Sequence, residues 1–266
     1  MKIIDSHAHI FPDSVAAKAS SGIGNFYDMD VRFDGRLCTL LDQGSAAGIS
    51  HYVVQSVATV PEQVCSINDF IAFTSAENTF ITGLGTLHPY MDNPAAEVER
   101  IIELGLRGVK LHPDFQQFNL DDERVFPIYE ALVNRLPLLT HSGDFRHDFS
   151  HPRRLYNVIN RFPDLTVIAA HFGGWSVWNE AETILNGIDI YIDTSSSFYT
   201  LDDEQILRLI KTFGENRVLF GTDYPMWEAA AEVRRLQKLN LSDAVKEKIF
   251  FKNAEKLWGI VLEKKY

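Results

Sequence analysis

The sequence contains only two cysteines, Cys38 and Cys65, and neither belongs to a CxxC or Cys/His zinc-finger spacing. A chain of this size needs no disulfide scaffold, and both cysteines fall in segments with helical periodicity, so we expect reduced packing residues. No apolar run reaches the roughly 20 residues that a membrane-spanning helix needs. The N-terminal stretch MKIIDSHAHIF has no charged segment followed by a long apolar one, which argues against a signal peptide and favours a cytoplasmic protein.

The chain also lacks an excess of basic residues. It carries 25 Lys and Arg against 36 Asp and Glu, for a net charge of −11. The resulting field repels phosphate, so we expect neither a nucleic-acid partner nor an anionic membrane, but a small-molecule substrate. An anionic substrate stays open, because a bound metal ion can invert the field locally.

Short β-rich runs alternate with amphipathic segments along the whole chain. The candidate strands cover residues 2–7, 52–57, 80–86, 107–111, 136–141, 165–171, 188–194 and 217–222. The clearest helical segments cover residues 95–104, 126–134, 152–161 and 203–212. Strands that alternate with helices imply a parallel sheet, and eight strands favour a closed barrel over an open doubly wound sheet. The length of 266 residues is also close to the ~250 typical of a (β/α)₈ barrel.

We therefore predict an α/β fold, a single (β/α)₈ TIM-barrel domain over residues 1–266. Residues 10–34 break the alternation and are predicted to form a long loop after strand 1. In a barrel this loop lies over the mouth of the active site, where it can help to form the substrate pocket. A C-terminal helix is predicted at about residues 242–258.

Polar residues gather where the predicted strands end. They are His7 and His9 on the first strand, Lys110 and His112 on the fourth, His141 on the fifth, His171 on the sixth and Asp223 on the eighth. The C-terminal ends of barrel strands converge on one face, where the catalytic residues of such barrels lie. His7 and His9 are two residues apart on an extended strand, so both imidazoles point to the same side. An isolated HxH is a weak signal, but the other strand ends make a metal site the better interpretation.

Imidazole and carboxylate ligands suit Zn²⁺, Mn²⁺, Fe²⁺ or Co²⁺, and zinc is the default expectation. Such an ion lowers the pKa of bound water from ~15.7 toward ~7. Asp223 can ligate the ion, accept a proton from that water, or do both. His171 can ligate a second ion or act as a general acid or base. The run from Thr194 to Ser197 follows strand 7 and is expected to donate hydrogen bonds into the pocket rather than to supply a nucleophile.

The stretches IDSHAHIF, GVKLHP, LLTHSGD, VIAAHFGGW and LFGTDYP closely resemble the amidohydrolase superfamily, in particular its amidohydrolase-2 (amidohydrolase-related) branch. The resemblance extends over nearly the whole chain, including KNAEKLWGI near the C-terminus. It implies that His7, His9 and His141 ligate the metal. It also implies that His171 is a ligand in two-metal members and catalytic in one-metal members, and that Asp223 touches both the metal and the attacking water. One or two divalent ions are therefore expected.

Lys110 has three interpretations. In two-metal relatives the strand-4 lysine carries a carbamate that bridges both ions, which would make Lys110 a metal ligand. An unmodified Lys110 can instead bind a substrate carboxylate, or pair with a neighbouring acid as a structural ion pair. His112 is a candidate for substrate contact, although Pro113 makes its orientation uncertain from sequence.

Two reactions fit this resemblance best. The first is metal-dependent hydrolysis of a small-molecule amide, lactone or ester, with Asp223 and His171 as catalytic residues. The alternative is non-oxidative decarboxylation of an aromatic or unsaturated carboxylic acid. A phosphoesterase of the TatD type ranks lower, because such enzymes usually carry a glutamate at the position of Lys110, and a non-catalytic binding protein ranks lowest. Aromatic-rich loops are compatible with a homodimer.

Overall fold

The computed structural model describes residues 2–262 of the chain. Within that range, nine strand segments alternate with helices. The strands are β1 (Ile4–His9), β2 (His51–Gln55), β3 (Ile81–Gly83), β4 (Gly85–Thr86), β5 (Val109–Leu111), β6 (Leu138–Thr140), β7 (Val167–Ala169), β8 (Tyr191–Asp193) and β9 (Val218–Leu219). The helices are α1 (Ala16–Tyr27), α2 (Leu37–Ala47), α3 (Val64–Glu77), α4 (Pro94–Glu103), α5 (Pro113–Gln116), α6 (Phe126–Leu132), α7 (Pro152–Arg161), α8 (Trp178–Leu185), α9 (Asp203–Phe213), α10 (Ala229–Lys238), α11 (Asp243–Glu247) and α12 (Asn253–Trp258). A π-helical stretch over Lys248–Lys252 joins α11 to α12.

The strands form a closed barrel with eight positions. Each strand pairs in parallel with the next, and β3 and β4 are one chain segment that is interrupted at Leu84. The barrel closes where the segment that follows β9 lies beside β1, and Ala8 and Tyr224 form a parallel bridge there. There the backbone N–H of Asp223 donates to the carbonyl of His7 at 2.8 Å. The predicted eight-stranded (β/α)₈ barrel is confirmed, and its closure brings the first and last strands side by side.

The barrel interior is apolar near the start of the strands and polar near their ends. Val53, Leu139 and Ile168 belong to an inner apolar cluster that Trp258 of α12 covers from below. A larger apolar cluster fills the space between the barrel and the surrounding helices. Since side chains on a strand alternate between faces, His141 points inward two residues after Leu139. Polar side chains therefore meet above an apolar plug.

Helix starts follow their sequence signals. Asn93 caps α4 by accepting from the N–H of Ala96 at 3.1 Å, and Pro94 occupies the first helical position. Asp202 and Gln205 form a capping box at the start of α9. Both helices begin within a residue or two of the predicted position, because the capping signals are local in sequence.

The segment 10–34 is not a loop throughout, since residues 16–27 form α1. Its sequence AAKASSGIGNFY contains two glycines and two serines, which are weak helix formers and therefore favoured a loop, but the prediction of a continuous loop is wrong. The buried positions Ala16, Ser20 and Gly24 recur every fourth residue along one face. A Cβ at Gly24 would lie 2.8 Å from the carbonyl oxygen of Met29. Close packing, rather than intrinsic propensity, stabilises this helix.

Two further expectations need correction. Cys38 and Cys65 are free and lie in helices α2 and α3 as predicted, but both are exposed and are not packing residues. Their helices turn other residues toward the core. The strands also end earlier than predicted: β6 ends at Thr140 and β7 at Ala169, so His141 and His171 follow the strands. In residues 2–262, no helix combines the length and apolar character needed to cross a membrane.

Candidate active site

His7, His9 and Asp223 converge at the C-terminal face of the barrel. The Nε2 atoms of His7 and His9 are 3.2 Å apart, and Oδ1 of Asp223 lies 3.4 Å and 3.5 Å from them. Two atoms that each lie about 2.1 Å from one ion are about 3.4 Å apart in tetrahedral geometry. The three side chains therefore fit as ligands of one divalent cation.

The second nitrogen of His7 is held by a residue that the sequence interpretation did not single out. Nδ1 of His7 lies 2.8 Å from Oδ2 of Asp193, which is completely buried at the end of β8. A carboxylate only accepts, so Nδ1 carries the hydrogen and Nε2 keeps its lone pair for a cation. The signal in the sequence was the motif YIDTS, in which an acid ends a buried strand in the same way as Asp223.

His141 and His171 form a second pair beside the first group. Nε2 of His141 donates to the carbonyl of Gly143 at 2.8 Å, and Nδ1 of His171 donates to the carbonyl of Ser195 at 3.0 Å. The remaining nitrogens, Nδ1 of His141 and Nε2 of His171, are 3.0 Å apart. Both then present lone pairs, which repel each other unless a proton or a cation lies between them.

This pairing affects how the predicted ligands are distributed. Among the described residues, His141 does not join the cluster of His7, His9 and Asp223, whose ligand atoms all lie within 4.8 Å of one another. His171 instead falls within that distance of His7 and Asp193. Two three-residue groups share His7, but the group with His171 and Asp193 uses Nδ1 of His7, which is hydrogen-bonded to Asp193. The side chains thus offer a cation site at His7, His9 and Asp223, with a histidine pair beside it. That pair can share a proton or hold a second ion.

The charge states favour cation binding. Burial lowers the pKa of His7 to about 4 and also lowers the pKa of His9. Burial likewise holds the pKa of His141 well below its usual value. Burial alone would raise the pKa of Asp223, but the neighbouring histidines outweigh it and hold that pKa well below the usual range. Neutral imidazoles and an ionised carboxylate are the ligand forms that a divalent ion requires.

Lys110 lies next to this group. Its side chain is fully buried, and Nζ donates to Nε2 of His7 at 3.1 Å. It forms no ion pair with any carboxylate that the structure describes, so the interpretation as a structural ion pair is wrong. The reason is that Asp193 and Asp223 direct their oxygens to histidines and serines instead. Burial lowers the pKa of Lys110 to about 8.

Two serines of the run after β8 contact the polar groups of the pocket through their hydroxyls. The hydroxyl of Ser195 donates to Asp193 and lies 2.9 Å from Nδ1 of His171. The hydroxyl of Ser196 donates to Oδ2 of Asp223. Both serines therefore fix polar groups in place.

Helix α1 covers the pocket. Tyr27, at its C-terminal end, lies 2.9 Å from Nε2 of His112 through its hydroxyl, and its ring packs against Trp175 at 4.9 Å. Arg146 donates to the carbonyl of Phe26 and lies over the Tyr27 ring, 5.0 Å from its centroid. Arg146 is in turn held by both carboxylate oxygens of Asp144. The segment predicted over the mouth is thus fastened to the barrel by a cation and a tyrosine.

The pocket under this helix has an aromatic and apolar wall. Besides the polar residues already described, its lining consists of Ile23, Tyr27, Met29, Phe115, Trp175, Pro225, Met226 and Trp227. His112 lines it as well, stacked between Phe115 at 3.8 Å and His141 at 4.1 Å. The lower part of the pocket carries polar groups that suit a divalent cation, whereas the upper part suits a flat apolar molecule.

The comparisons with known proteins agree with this architecture. A family model described as amidohydrolase matches residues 4–260. The chain belongs to the amidohydrolase family. The resemblance of its strand-end motifs to that family is therefore confirmed.

This amidohydrolase is similar to a curated relative, the 2-amino-3-carboxymuconate-6-semialdehyde decarboxylase of Dictyostelium discoideum. The two are 26% identical over 84% of this chain and 81% of the relative. A solved structure of an uncharacterized TIM-barrel protein from Bordetella bronchiseptica superposes with a TM-score of 0.81 at 22% identity, over 97% of this chain and 99% of that one. A dihydroxybenzoic acid decarboxylase from Polaromonas sp. JS666, with bound manganese and the inhibitor 2-nitroresorcinol, has a TM-score of 0.74 at 17% identity. That match covers 97% of both chains.

Proposed function

We propose that this amidohydrolase is a metal-dependent, non-oxidative decarboxylase of a small aromatic or unsaturated carboxylic acid. The observation that carries the proposal is Lys110, a buried cation that forms no ion pair in the described part of the chain and lies beside the three proposed metal ligands. The nearby Asp193 and Asp223 offset its burial only in part, so an anion in direct contact with Lys110 would stabilise the site. A substrate carboxylate supplies that anion, and its loss as neutral CO₂ leaves a product that the site holds less strongly.

The aromatic wall supports the substrate class. Tyr27, Trp175 and Trp227 surround the space above the ligands. Offset or edge contacts with these rings favour a planar substrate over a flexible chain. The Dictyostelium and Polaromonas proteins support the same substrate class, because both are decarboxylases of unsaturated or aromatic acids.

The residues have separate tasks in this reaction. His7, His9 and Asp223 would hold the divalent ion, which neutralises substrate oxygens and stabilises negative charge that develops on the substrate. Lys110 binds the carboxylate. When the bond to the carboxylate breaks, its electron pair stays on the substrate carbon, and that carbon takes a proton while CO₂ departs. We assign the proton to Nε2 of His171, which shares it with Nδ1 of His141 before the reaction.

Hydrolysis comes first when the sequence is considered alone, and decarboxylation second. The relatives support the reverse order. The same comparison concerns the identity of the metal. Ligand chemistry makes zinc the default, but the manganese bound to the Polaromonas enzyme makes Mn²⁺ an equal candidate. A carbamylated Lys110 that bridges two ions remains the competing arrangement, and it belongs with hydrolysis.

The test is a substrate panel on metal-depleted protein reloaded with Mn²⁺ or Zn²⁺. Hydroxybenzoates and unsaturated dicarboxylic acids are compared with matched esters and lactones, and CO₂ release and ester cleavage are followed separately. We expect at least one of the acids to release CO₂. This activity should be lost when the metal is chelated and in the Asp223→Asn variant. Ester or lactone cleavage without CO₂ release from any acid would instead support the interpretation as a hydrolase.

A further inference from the structure

The second oxygen of Asp223 is engaged by a chain of three side chains outside the ligand group. Trp227 donates its indole N–H to Oγ of Ser196 at 2.7 Å, and Ser196 donates its hydroxyl to Oδ2 of Asp223. The ring of Tyr199 lies nearly parallel to that of Trp227, 4.6 Å between centroids and tilted by 14°. The chain runs from the rim of the barrel to the metal ligands.

The direction of these hydrogen bonds follows from their chemistry. An indole N–H can only donate, so Ser196 accepts from Trp227. The single hydroxyl hydrogen of Ser196 is then directed to the carboxylate, which can only accept. The bond to Oδ2 leaves Oδ1 as the oxygen that faces the imidazole nitrogens of His7 and His9.

The backbone at both ends of the Ser196–Asp223 bond is unusual. Ser196 has φ +45° and Asp223 has φ +57°, which places both in the left-handed region that residues other than glycine seldom adopt. Aspartate tolerates this region better than serine. Strained backbone of this kind persists where the surroundings over-determine it, and it clusters at functional sites. A serine that only filled space would not need this left-handed backbone conformation.

We propose that Ser196 and Trp227 are positioning residues that hold Asp223 as a one-oxygen ligand, bound to the divalent cation through Oδ1 alone. Both act on the cation site through Asp223, because Ser196 bonds Oδ2 of Asp223 and Trp227 bonds Ser196. Trp227 acts through Ser196, and the stacked Tyr199 keeps the indole N–H aimed at the serine. The inference rests on the proposed function for its metal site, but it concerns how the ligand is held rather than which reaction follows.

The experiment is a calorimetric titration of metal-depleted protein with Mn²⁺ alone. Loss of an outer hydrogen-bond partner of a metal ligand costs 10–100-fold in metal affinity or activity. We expect Ser196→Ala to weaken Mn²⁺ binding by at least tenfold and Trp227→Phe, which keeps the stacked ring, by a smaller factor. The double variant should be no worse than Ser196→Ala, because the tryptophan acts through the serine.

Ser197→Ala is the matched control. Ser197 is the next residue in the same run and is fully buried, but its hydroxyl donates to the carbonyl of Ser195 instead of to Asp223. Its variant should bind Mn²⁺ like the wild type. Ser196→Gly removes the hydroxyl while relieving the positive φ, so equal losses in the glycine and alanine variants assign the effect to the hydroxyl and not to the backbone.

Wild-type Mn²⁺ affinity in Ser196→Ala, or additive losses in the double variant, would overturn the inference. The decarboxylase proposal fails on a different measurement. If the wild type binds Mn²⁺ and shows the Ser196 dependence but releases no CO₂, the proposed reaction is wrong and the positioning role stands.

Discussion

Asp193 holds His7 through the nitrogen that faces away from the metal ligands, with 2.8 Å between Oδ2 and Nδ1 and no solvent exposure of either side chain. The other oxygen of Asp193 accepts from the backbone N–H groups of His171 and Ser195 at 3.0 Å and 3.1 Å. One buried carboxylate therefore sets the tautomer of a proposed metal ligand and the position of the histidine proposed to deliver the proton.

Asp193→Asn should lower the affinity for Mn²⁺ about 10–100-fold. The amide can still present its oxygen to His7, but its NH₂ group then meets two backbone donors that need an acceptor. The measurement is the same calorimetric titration. Asp189→Asn, which changes an exposed acid paired with Arg217, is the control and should bind normally. Unchanged affinity in Asp193→Asn would show that His7 needs no outer carboxylate.

Lys110→Met should lower the rate of CO₂ release at least 100-fold and yet stabilise the protein. The depressed pKa of about 8 means that the folded state bears the cost of a buried ammonium below that pH. Removing the charge should therefore raise the free energy of unfolding at pH 7 by up to about 3 kcal/mol in metal-free protein. Urea denaturation measures this, with Lys252→Met, an exposed lysine, as the control.

The mass of the wild-type protein decides between the remaining interpretations of Lys110. An intact mass increased by one CO₂ per chain, together with two ions, would indicate the carbamate and contradict the role of substrate cation. An unmodified lysine with one ion is the expected result.

Tyr27→Phe should raise KM about fivefold and leave kcat nearly unchanged. Nδ1 of His112 accepts from the N–H of Phe115, so its Nε2 carries the hydrogen and donates to the Tyr27 hydroxyl. The hydroxyl hydrogen is then free to donate to a substrate oxygen, and one such bond contributes about 1 kcal/mol. Steady-state kinetics test this against Tyr156→Phe, which changes an exposed tyrosine of α7. A fall in kcat with constant KM would contradict a binding role.

Glu232 should make stability depend on pH. Burial raises its pKa to about 8, from ~4.3 in an unfolded chain. Between these values the folded state holds a proton that the unfolded state releases, so stability falls as pH rises. From pH 5 to pH 8, the wild type should lose on the order of 2 kcal/mol more than Glu232→Gln. Urea denaturation of both proteins measures this difference.

Glu228→Gln, at the exposed start of α10, serves as the control for that series and should follow the wild type. Parallel pH profiles for the wild type and Glu232→Gln would mean that Glu232 ionises in the fold at its ordinary pKa.

The strand ends show how far sequence reasoning reaches. Burial on both faces makes barrel strands read as apolar runs, and a polar residue at the end of such a run stands out. His7, His9 and Asp223 were identifiable for this reason, and they do lie together. Asp193, the last residue of β8, carried the same signal but was overlooked, because aspartate is usually a surface residue. Helix α1 was missed because its small residues form a packing face only against a partner.

The sequence by itself determined the alternation that makes a barrel and the kinds of donor at its C-terminal end, because both are properties of residue type and spacing. The tertiary structure alone decided which nitrogen of each imidazole is free, that Lys110 forms no ion pair with a carboxylate of residues 2–262, and that Ser196 engages one oxygen of Asp223. These features depend on directional contacts between residues far apart in the chain, such as His7 and Asp193, 186 positions apart. Such contacts form only when the sheet closes, so no local pattern encodes them.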